Sequence, residues 1–238
     1  MSSQAPISAE IHPGPGFRIA RDQPPCRIDA AALLRGFAVA DISDRLNRLY
    51  GVGAAIRHLS GSALPLIGPV CTVKVYPGDN LMVHKALDVA RPGEVVIIDA
   101  GGSTCNAVLG DTISMKARHR GIAGFIVDGY VRDLAEIREM DYPVFARGET
   151  MIGPLHRGPG EINFPICCGG VVVIPGDIVV ADASGIVIVR RDHVESLSRQ
   201  LSEQRDRMAG YHVAVQRGEF SNAWVDRQLD AARCEVVG

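Results

Sequence analysis

The chain has 238 residues, 47% apolar and 22% charged, which is enough to bury a sizeable core and lacks the polar bias of a disordered protein. A formal charge of −2 without a dense Lys/Arg block excludes a broad footprint for nucleic acid or an anionic membrane, and leaves small molecules and other subunits as partners. No apolar run reaches the roughly 18 residues of a membrane span, and the cysteines at 26, 71, 105, 167, 168 and 234 form no CxxC, so the reading is reduced, mostly buried thiols rather than a disulfide framework or structural zinc.

Five prolines (6, 13, 15, 24 and 25) interrupt the first thirty residues, which contain no continuous apolar stretch of the signal-peptide kind. Residues 1–29 therefore read as an arm, and the protein is expected in the cytoplasm. One domain follows, from 30 to 208, because no Ser/Pro/Gly-rich linker breaks the pattern; residues 209–238 read as a tail.

From Ile28 to Leu49 the apolar residues keep mainly helical spacing, with Gly36 dividing two short helices and Asp41 or Ser43 as the cap of the second. Residues 68–76 alternate as a strand, Leu81 to Ala90 form a helix closed by Pro92-Gly93, and Val95 to Ile98 form a short buried strand. After a Gly101-Gly102 loop, a helix runs from about Leu109 to Arg120 with Leu109, Ile113 and Ala117 on one face, and Gly121 ends it. Residues 122–127 form the next strand, so the order strand, helix, strand predicts a parallel pair in an α/β core. Val171–Ile174, Ile178–Ala181 and Ile186–Val189 are short strands of a β-rich layer, and a charged helix extends from His193 to about Met208.

Asp111 and Arg132-Asp133 are separated by twenty intervening residues. The helix leaving Asp111 travels about 15 Å at 1.5 Å per residue, and a six-residue strand returns about 20 Å at 3.3 Å each, with Asp128 to Val131 as the turn. Asp111 and Asp133 should become neighbours. Two carboxylates offer hard oxygen donors that suit hydrated Mg²⁺ or Mn²⁺, and Arg132 presents a planar fork to a carboxylate. The amides of Val108, Leu109 and Gly110 open the helix towards an anion. On spacing alone the other reading stays open, in which Asp111 sits in a helix's first turn and Arg132-Asp133 is a surface ion pair. Neither GxGxxG nor GK[ST] is present, so a nucleotide site is not indicated.

Ala107-Val-Leu-Gly-Asp111, twenty residues, then Arg132-Asp133 resembles the D-x20-R-D signature of class II pyruvate aldolases of the RraA-like family, typified by 4-hydroxy-4-methyl-2-oxoglutarate/4-carboxy-4-hydroxy-2-oxoadipate aldolase. Gly78 to His84, Pro92-Gly-Glu94, Gly160-Glu-Ile-Asn163, Cys168-Gly-Gly170 and Pro175-Gly-Asp177 followed by Ala181-Asp182 are similar to its blocks, over about residues 30–205. The resemblance implies an α/β fold, an α-β-β-α sandwich of the swivelling β/β/α type, in homotrimers or hexamers with interface active sites. It implies that Asp133 touches the metal, Asp111 holds a metal-bound water, Arg132 binds the oxo and carboxyl oxygens, and the Leu109 and Gly110 amides take the carboxylate. A further carboxylate, acting through water, would come from a neighbouring subunit's C-terminal helix; Glu203 is the candidate and Glu195 the alternative. The chemistry implied is cleavage of a 4-hydroxy-2-oxo acid to pyruvate through an enolate, with a metal-ordered water as base and oxaloacetate decarboxylation through the same enolate.

The enzymatic rival is a Schiff base on Lys74, Lys85 or Lys116. His84, Cys105, Glu161 and Asn163 are secondary site candidates, each with a structural reading beside it, and Cys167-Cys168 reads as core. The family also holds RraA, a regulator of ribonuclease activity that lacks the second Asp, so a noncatalytic, protein-binding role is the other class of function. This chain keeps both Asp111 and Asp133, which favours the enzyme.

Overall fold

A computed structural model describes residues 10–21, 29–61 and 65–237; Pro6, Pro24, Pro25, Cys26 and Ile28 lie outside them. The elements in chain order are β1 (Phe17–Ile19), α1 (Ala30–Leu34), α2 (Val39–Arg45), β2 (Arg57–His58), β3 (Leu66–Val75), α3 (Leu81–Ala86), β4 (Val95–Ala107), α4 (Asp111–His119), β5 (Gly124–Val131), α5 (Leu134–Glu139), β6 (Val144–Glu149), β7 (Gly160–Ile162), β8 (Ile166–Cys168), β9 (Val171–Val173), β10 (Ile178–Asp182), β11 (Gly185–Val189), α6 (Val194–Gln216) and α7 (Ala223–Ala231). Two compact units result, Met1–Ser198 and Arg199–Gly238.

The first unit is built on a sheet in the order β1-β7-β3-β4-β5-β6-β2. Strands β3, β4, β5 and β6 run parallel, as the strand, helix, strand order predicts. One sheet face carries Val73, Val96, Ile98, Phe125, Val127 and Val144 into a core shared with Val83 of α3, Ile113 and Ala117 of α4, and Ile137 of α5. The other face carries Val70, Val95, Ile97, Ile126 and Phe145 against Cys168, Val173, Val179 and Ile188 of the β8–β9 and β10–β11 hairpins. The β10–β11 pair is buried on its second face too (Ile178, Val180, Val187, Val189), and α2 packs on it. Strands hydrophobic on both faces are what a layered α-β-β-α sandwich requires.

Several boundaries differ from the sequence expectation. Helix α2 is capped by neither Asp41 nor Ser43: its N-cap is Ala38, and Asp182 Oδ2, from the β10–β11 turn, accepts from Val39 N at 3.1 Å. Helix α3 stops at Ala86, and single turns carry the chain to Ala90. Strand β4 continues past Ile98 to Ala107, passing Gly101 and Gly102 (φ 66° and 69°) with two shifts of register against β5. Strand β5 likewise continues through Asp128–Val131, so the turn falls at Arg132-Asp133 instead. Helix α4 starts at Asp111 behind Gly110, later than expected, whereas Gly36 and Gly121 break their helices as expected, both at positive φ. Strands β1, β2, β6, β7 and β8 and helices α5 and α7 had no counterpart in the sequence reading.

Cys167 is exposed while Cys168 is buried, so only the second is core. Among the described cysteines Cys105 and Cys234 are exposed as well, which corrects the expectation of mostly buried thiols; all described cysteines are free.

Candidate active site

The carboxyl ends of β4 and β5 are stitched together by their backbones. Val108 N donates to Tyr130 O at 3.0 Å and Arg132 N to Leu109 O at 3.0 Å, while Ala107 N ties β4 to the segment after β6 through Ile152 O at 2.9 Å. Parallel strands that end side by side leave a crevice beyond their carboxyl edge. Here it is a cavity of about 310 Å³ lined by Asn80, His84, Leu109, Gly110, Asp111, Arg132, Gly153 and His156, among others. The crossover arithmetic therefore brings Asp111 and Arg132 to one cavity.

Asp133 is the N-cap of α5 and holds a left-handed backbone (φ 59°, ψ 40°), yet its carboxylate makes no capping bond. Leu134 N is instead taken by Glu149 Oε1 at 3.1 Å. A non-glycine residue in this region is uncommon, and an N-cap aspartate normally spends its oxygens on its own helix. Relieved of that duty, the Asp133 carboxylate turns back over Gly110, beside the Arg132 guanidinium (Nε to Oδ2, 3.1 Å). A Cβ on Gly110 would overlap Asp133 Oδ2 and lie 3.0 Å from Arg132 Cγ; one on Gly153 would lie 2.7 Å from Arg132 Nη1. Two glycines thus make room for this guanidinium and carboxylate.

The three amides expected to face an anion divide. Val108 N is committed to Tyr130 O, so it is removed from the set. Leu109 and Gly110 are buried, and among the described residues their N–H groups have no acceptor. Buried amides are nearly always paired, and two consecutive ones left open on a cavity beside an arginine form a cradle for a carboxylate. Asp111 opens α4 with Oδ1 accepting from Thr112 N at 2.5 Å and Thr112 Oγ1 at 3.1 Å, which leaves its other oxygen unengaged.

Among the described residues no three His, Cys, Asp or Glu side chains gather tightly enough to cage a metal. A closed zinc-type site does not fit. The donor chemistry of a hydrated Mg²⁺ or Mn²⁺ does fit, because such ions accept one or two protein carboxylates and keep several waters; Asp111 lines the cavity, whereas Asp133, partly solvent-accessible beside Arg132, does not. Glu203 lies on α6 in the second unit, exposed.

Of the secondary candidates, His84 lines the cavity, and burial first, then His156 and Lys116, lower its pKa. Its ring meets that of His156 edge to face, centroids 5.5 Å apart. Glu161 and Lys74 belong elsewhere: Arg18, Glu161, Lys74, Asp99 and Asp128 face one another in register across β1, β7, β3, β4 and β5, and Arg147 of β6 completes the row. Lys74 donates to Asp99 at 2.8 Å, which raises its pKa, the wrong direction for a Schiff-base amine. Lys85 is paired with Asp88 at 2.8 Å, and Lys116 lines a neighbouring groove with His84 and His119. Asn163 is tied to Thr72 O and Ala20 O as a left-handed turn residue. Cys105 is exposed and does not line this cavity.

Sequence reasoning missed His156 altogether. It accepts its place from Asn80, whose Oδ1 lies 2.6 Å from His156 Nδ1 and whose Nδ2 donates to Val108 O at 3.0 Å. No local signal marks His156, since it sits in an irregular segment 76 positions from Asn80.

Residues 39–188 match the model of the RraA-like family, described as Aldolase/RraA. The chain is 38% identical over 178 residues to a protein of Halalkalibacterium halodurans named "Putative 4-hydroxy-4-methyl-2-oxoglutarate aldolase", covering 75% of this chain and 84% of that one. An Arabidopsis thaliana protein named "Putative 4-hydroxy-4-methyl-2-oxoglutarate aldolase 3" is 36% identical over 164 residues, 67% of this chain and 98% of that one. Among solved structures, the RNA-processing inhibitor RraA from Thermus thermophilis aligns with TM-score 0.60 and 32% identity, over 64% of this chain and 92% of that one.

Proposed function

Since the chain belongs to the RraA-like family, we propose that it is a divalent-metal-dependent lyase that cleaves a 4-hydroxy-2-oxo acid to pyruvate and also decarboxylates oxaloacetate. The observation that carries this reading is the pair of open, buried amides at Leu109 and Gly110 beside the Arg132 fork. They offer a 2-oxo acid's carboxylate two hydrogen bonds while Arg132 reaches its oxo oxygen. In this reading Asp133 holds Mg²⁺ or Mn²⁺ directly, Asp111 does so through water, and Glu203 of a neighbouring subunit does so through a second water in a homotrimer or hexamer. The ion, when bound, supplies Lewis-acid neutralisation of oxygen charge. Leu109, Gly110 and Arg132 orient the substrate and neutralise the charge that grows on the C2 oxygen as the C3–C4 bond opens. The curated relatives' names support an aldolase.

The test is pyruvate release from 4-hydroxy-4-methyl-2-oxoglutarate and oxaloacetate, with Mg²⁺ or with chelator, in wild type and in folded Asp133→Ala and Arg132→Ala variants. Release should require the metal and should fall at least about 100-fold in either variant. Undiminished release from the metal-free Asp133→Ala protein would end this assignment. The likeness to the Thermus RNA-processing inhibitor favours a noncatalytic, protein-binding role as second reading; copurification with a ribonuclease, with no turnover of any 2-oxo acid, would select it.

A further inference from the structure

Resting on the lyase reading, we propose that His156 is the acid–base residue of this cavity, its Nε2 taking the substrate's C4 hydroxyl proton and returning it to C3 of the nascent pyruvate. The hydrogen-bond chain behind the ring fixes which nitrogen is basic. Val108 C=O can only accept, so the Asn80 side chain must point its Nδ2 at it, at 3.0 Å. That leaves Asn80 Oδ1 facing His156 Nδ1 at 2.6 Å, and an amide oxygen accepts only, so Nδ1 carries the hydrogen. In the neutral ring Nε2 is then the free lone pair. Asn80 is 2% exposed, so the amide that orients the ring is itself buried, while the His156 ring is solvent-accessible.

The segment that carries His156 is tied on both sides. Leu155 N donates to Gly78 O at 2.8 Å and Asn80 N to Leu155 O at 2.9 Å. Past the ring, Arg157 N and Gly158 N donate to the two oxygens of buried Asp79, at 2.6 and 3.0 Å. An irregular segment held this firmly, with its imidazole on the same cavity as Arg132 and the Leu109 and Gly110 amides, is what acid–base work requires. The other ring of the pair, His84, does not qualify, because among the described residues no bond of this kind fixes its tautomer. Charged and titratable neighbours on the cavity and the adjoining groove are His84 of α3, Asp111, Lys116 and His119 of α4, Arg120 just past it, and Arg132 after β5.

The step balances within the substrate. Nε2 removes the C4 hydroxyl proton, the oxygen's electron pair forms the C4 carbonyl, and the C3–C4 bond breaks with its electrons passing to C3 as an enolate whose oxygen faces Arg132. The imidazolium then protonates C3, forming the methyl group and restoring the neutral ring. One proton moves from oxygen to carbon, and no co-reactant enters.

The same proton transfer makes the enzyme exchange pyruvate's methyl hydrogens with solvent, which isolates the step from bond cleavage. Wild type with Mg²⁺ in D₂O should exchange them, read by ¹H NMR, and His156→Gln should slow exchange and cleavage together by about 100-fold or more, while oxalate, an enolate mimic, binds within about threefold. Added imidazole should restore part of the rate in His156→Gly. Exchange by His156→Gln within about threefold of wild type would overturn the assignment and leave the lyase reading standing. Wild type that neither exchanges nor cleaves would overturn both. Independently of any variant's folding, ¹⁵N shifts of the wild-type histidines should show His156 as the Nδ1–H tautomer, and an Nε2–H tautomer overturns the proposal.

Discussion

Gly110 is the position where a single atom decides whether Asp133 and Arg132 keep their places. Its backbone is extended (φ −146°, ψ −159°), a conformation alanine adopts freely. The cost of Gly110→Ala therefore comes wholly from its methyl group, which would occupy the place of Asp133 Oδ2 and crowd Arg132. Pushing a carboxylate and a guanidinium aside by an ångström costs about 100-fold in rate, so pyruvate release should drop by that order. The melting temperature should move by only a few degrees, since the displaced groups are partly solvent-exposed. A variant with wild-type turnover would show that Asp133 does not need its place over Gly110. That Asp111 and Arg132 reach one cavity was legible because their spacing is local to one strand-helix-strand unit. His156 and Asn80 were not, because what defines them is a contact across 76 positions that no periodicity encodes.

At the level of elements, helix α2 shows how a remote turn replaces a local cap. The Asp182 carboxylate accepts from Val39 N and, at the other oxygen, from Ser184 N and Oγ. Burial alone would raise its pKa, but these bonds outweigh burial and hold it below the ordinary 3.8. The folded-state pKa is thus depressed, so the stability it contributes is present above about 3.8 and is lost as pH falls through the lower folded value. Asp182→Ala should cost about 1 kcal/mol at neutral pH, measured by urea unfolding, and the gap between the two proteins should close in strong acid. An unchanged gap at low pH would assign the effect to packing. The expectation of an Asp41 or Ser43 cap failed for this reason: local sequence shows which residues can cap, whereas tertiary contacts decide which one does. Strand β4 escaped the reading similarly, because Gly101 and Gly102 look like a loop until β5 pairs with the bulged strand on either side of them.

The charge row across the sheet belongs to the same scale. Asp128 is 8% exposed in its side chain and is held by Arg147 Nε at 2.5 Å and Gly169 N at 2.6 Å. Truncating the arginine leaves a buried carboxylate with one donor. Arg147→Ala should lose about 2 kcal/mol, below the 3–5 typical of a fully buried pair, because Arg147 is itself 30% exposed. The double variant Arg147→Met, Asp128→Asn should recover most of that loss, because an amide still accepts from Gly169 N without carrying a charge. Chemical denaturation of the three proteins tests both numbers, and a double variant no better than Arg147→Ala would show that the row stabilises by more than charge compensation.

For the whole molecule, the proposed lyase reading draws its last carboxylate from a second copy of the chain. Within one chain Asp111 follows the carboxyl end of β4 and Asp133 that of β5, and among the described residues no three acidic, histidine or cysteine side chains gather to hold a metal. In the proposed reading Glu203 of a neighbouring copy would supply the missing group, and activity would then be a property of the assembly. The parallel α/β layer was legible in the sequence because each strand and helix buries its own periodic face. Contributions between copies leave no periodic trace, so the trans carboxylate came only from family likeness. Mixing separates the two arrangements. Copies carrying Asp133→Ala and copies carrying Glu203→Ala should each be nearly inactive alone. After dissociation and reassembly in equal amounts, a site is whole only where a chain with intact Asp133 adjoins one with intact Glu203, which for random cyclic assembly is about one site in four. Recovery of roughly a quarter of wild-type pyruvate release is therefore expected. If both residues serve the site within one chain, every chain in the mixture carries one lesion in its own site, and reassembly restores nothing.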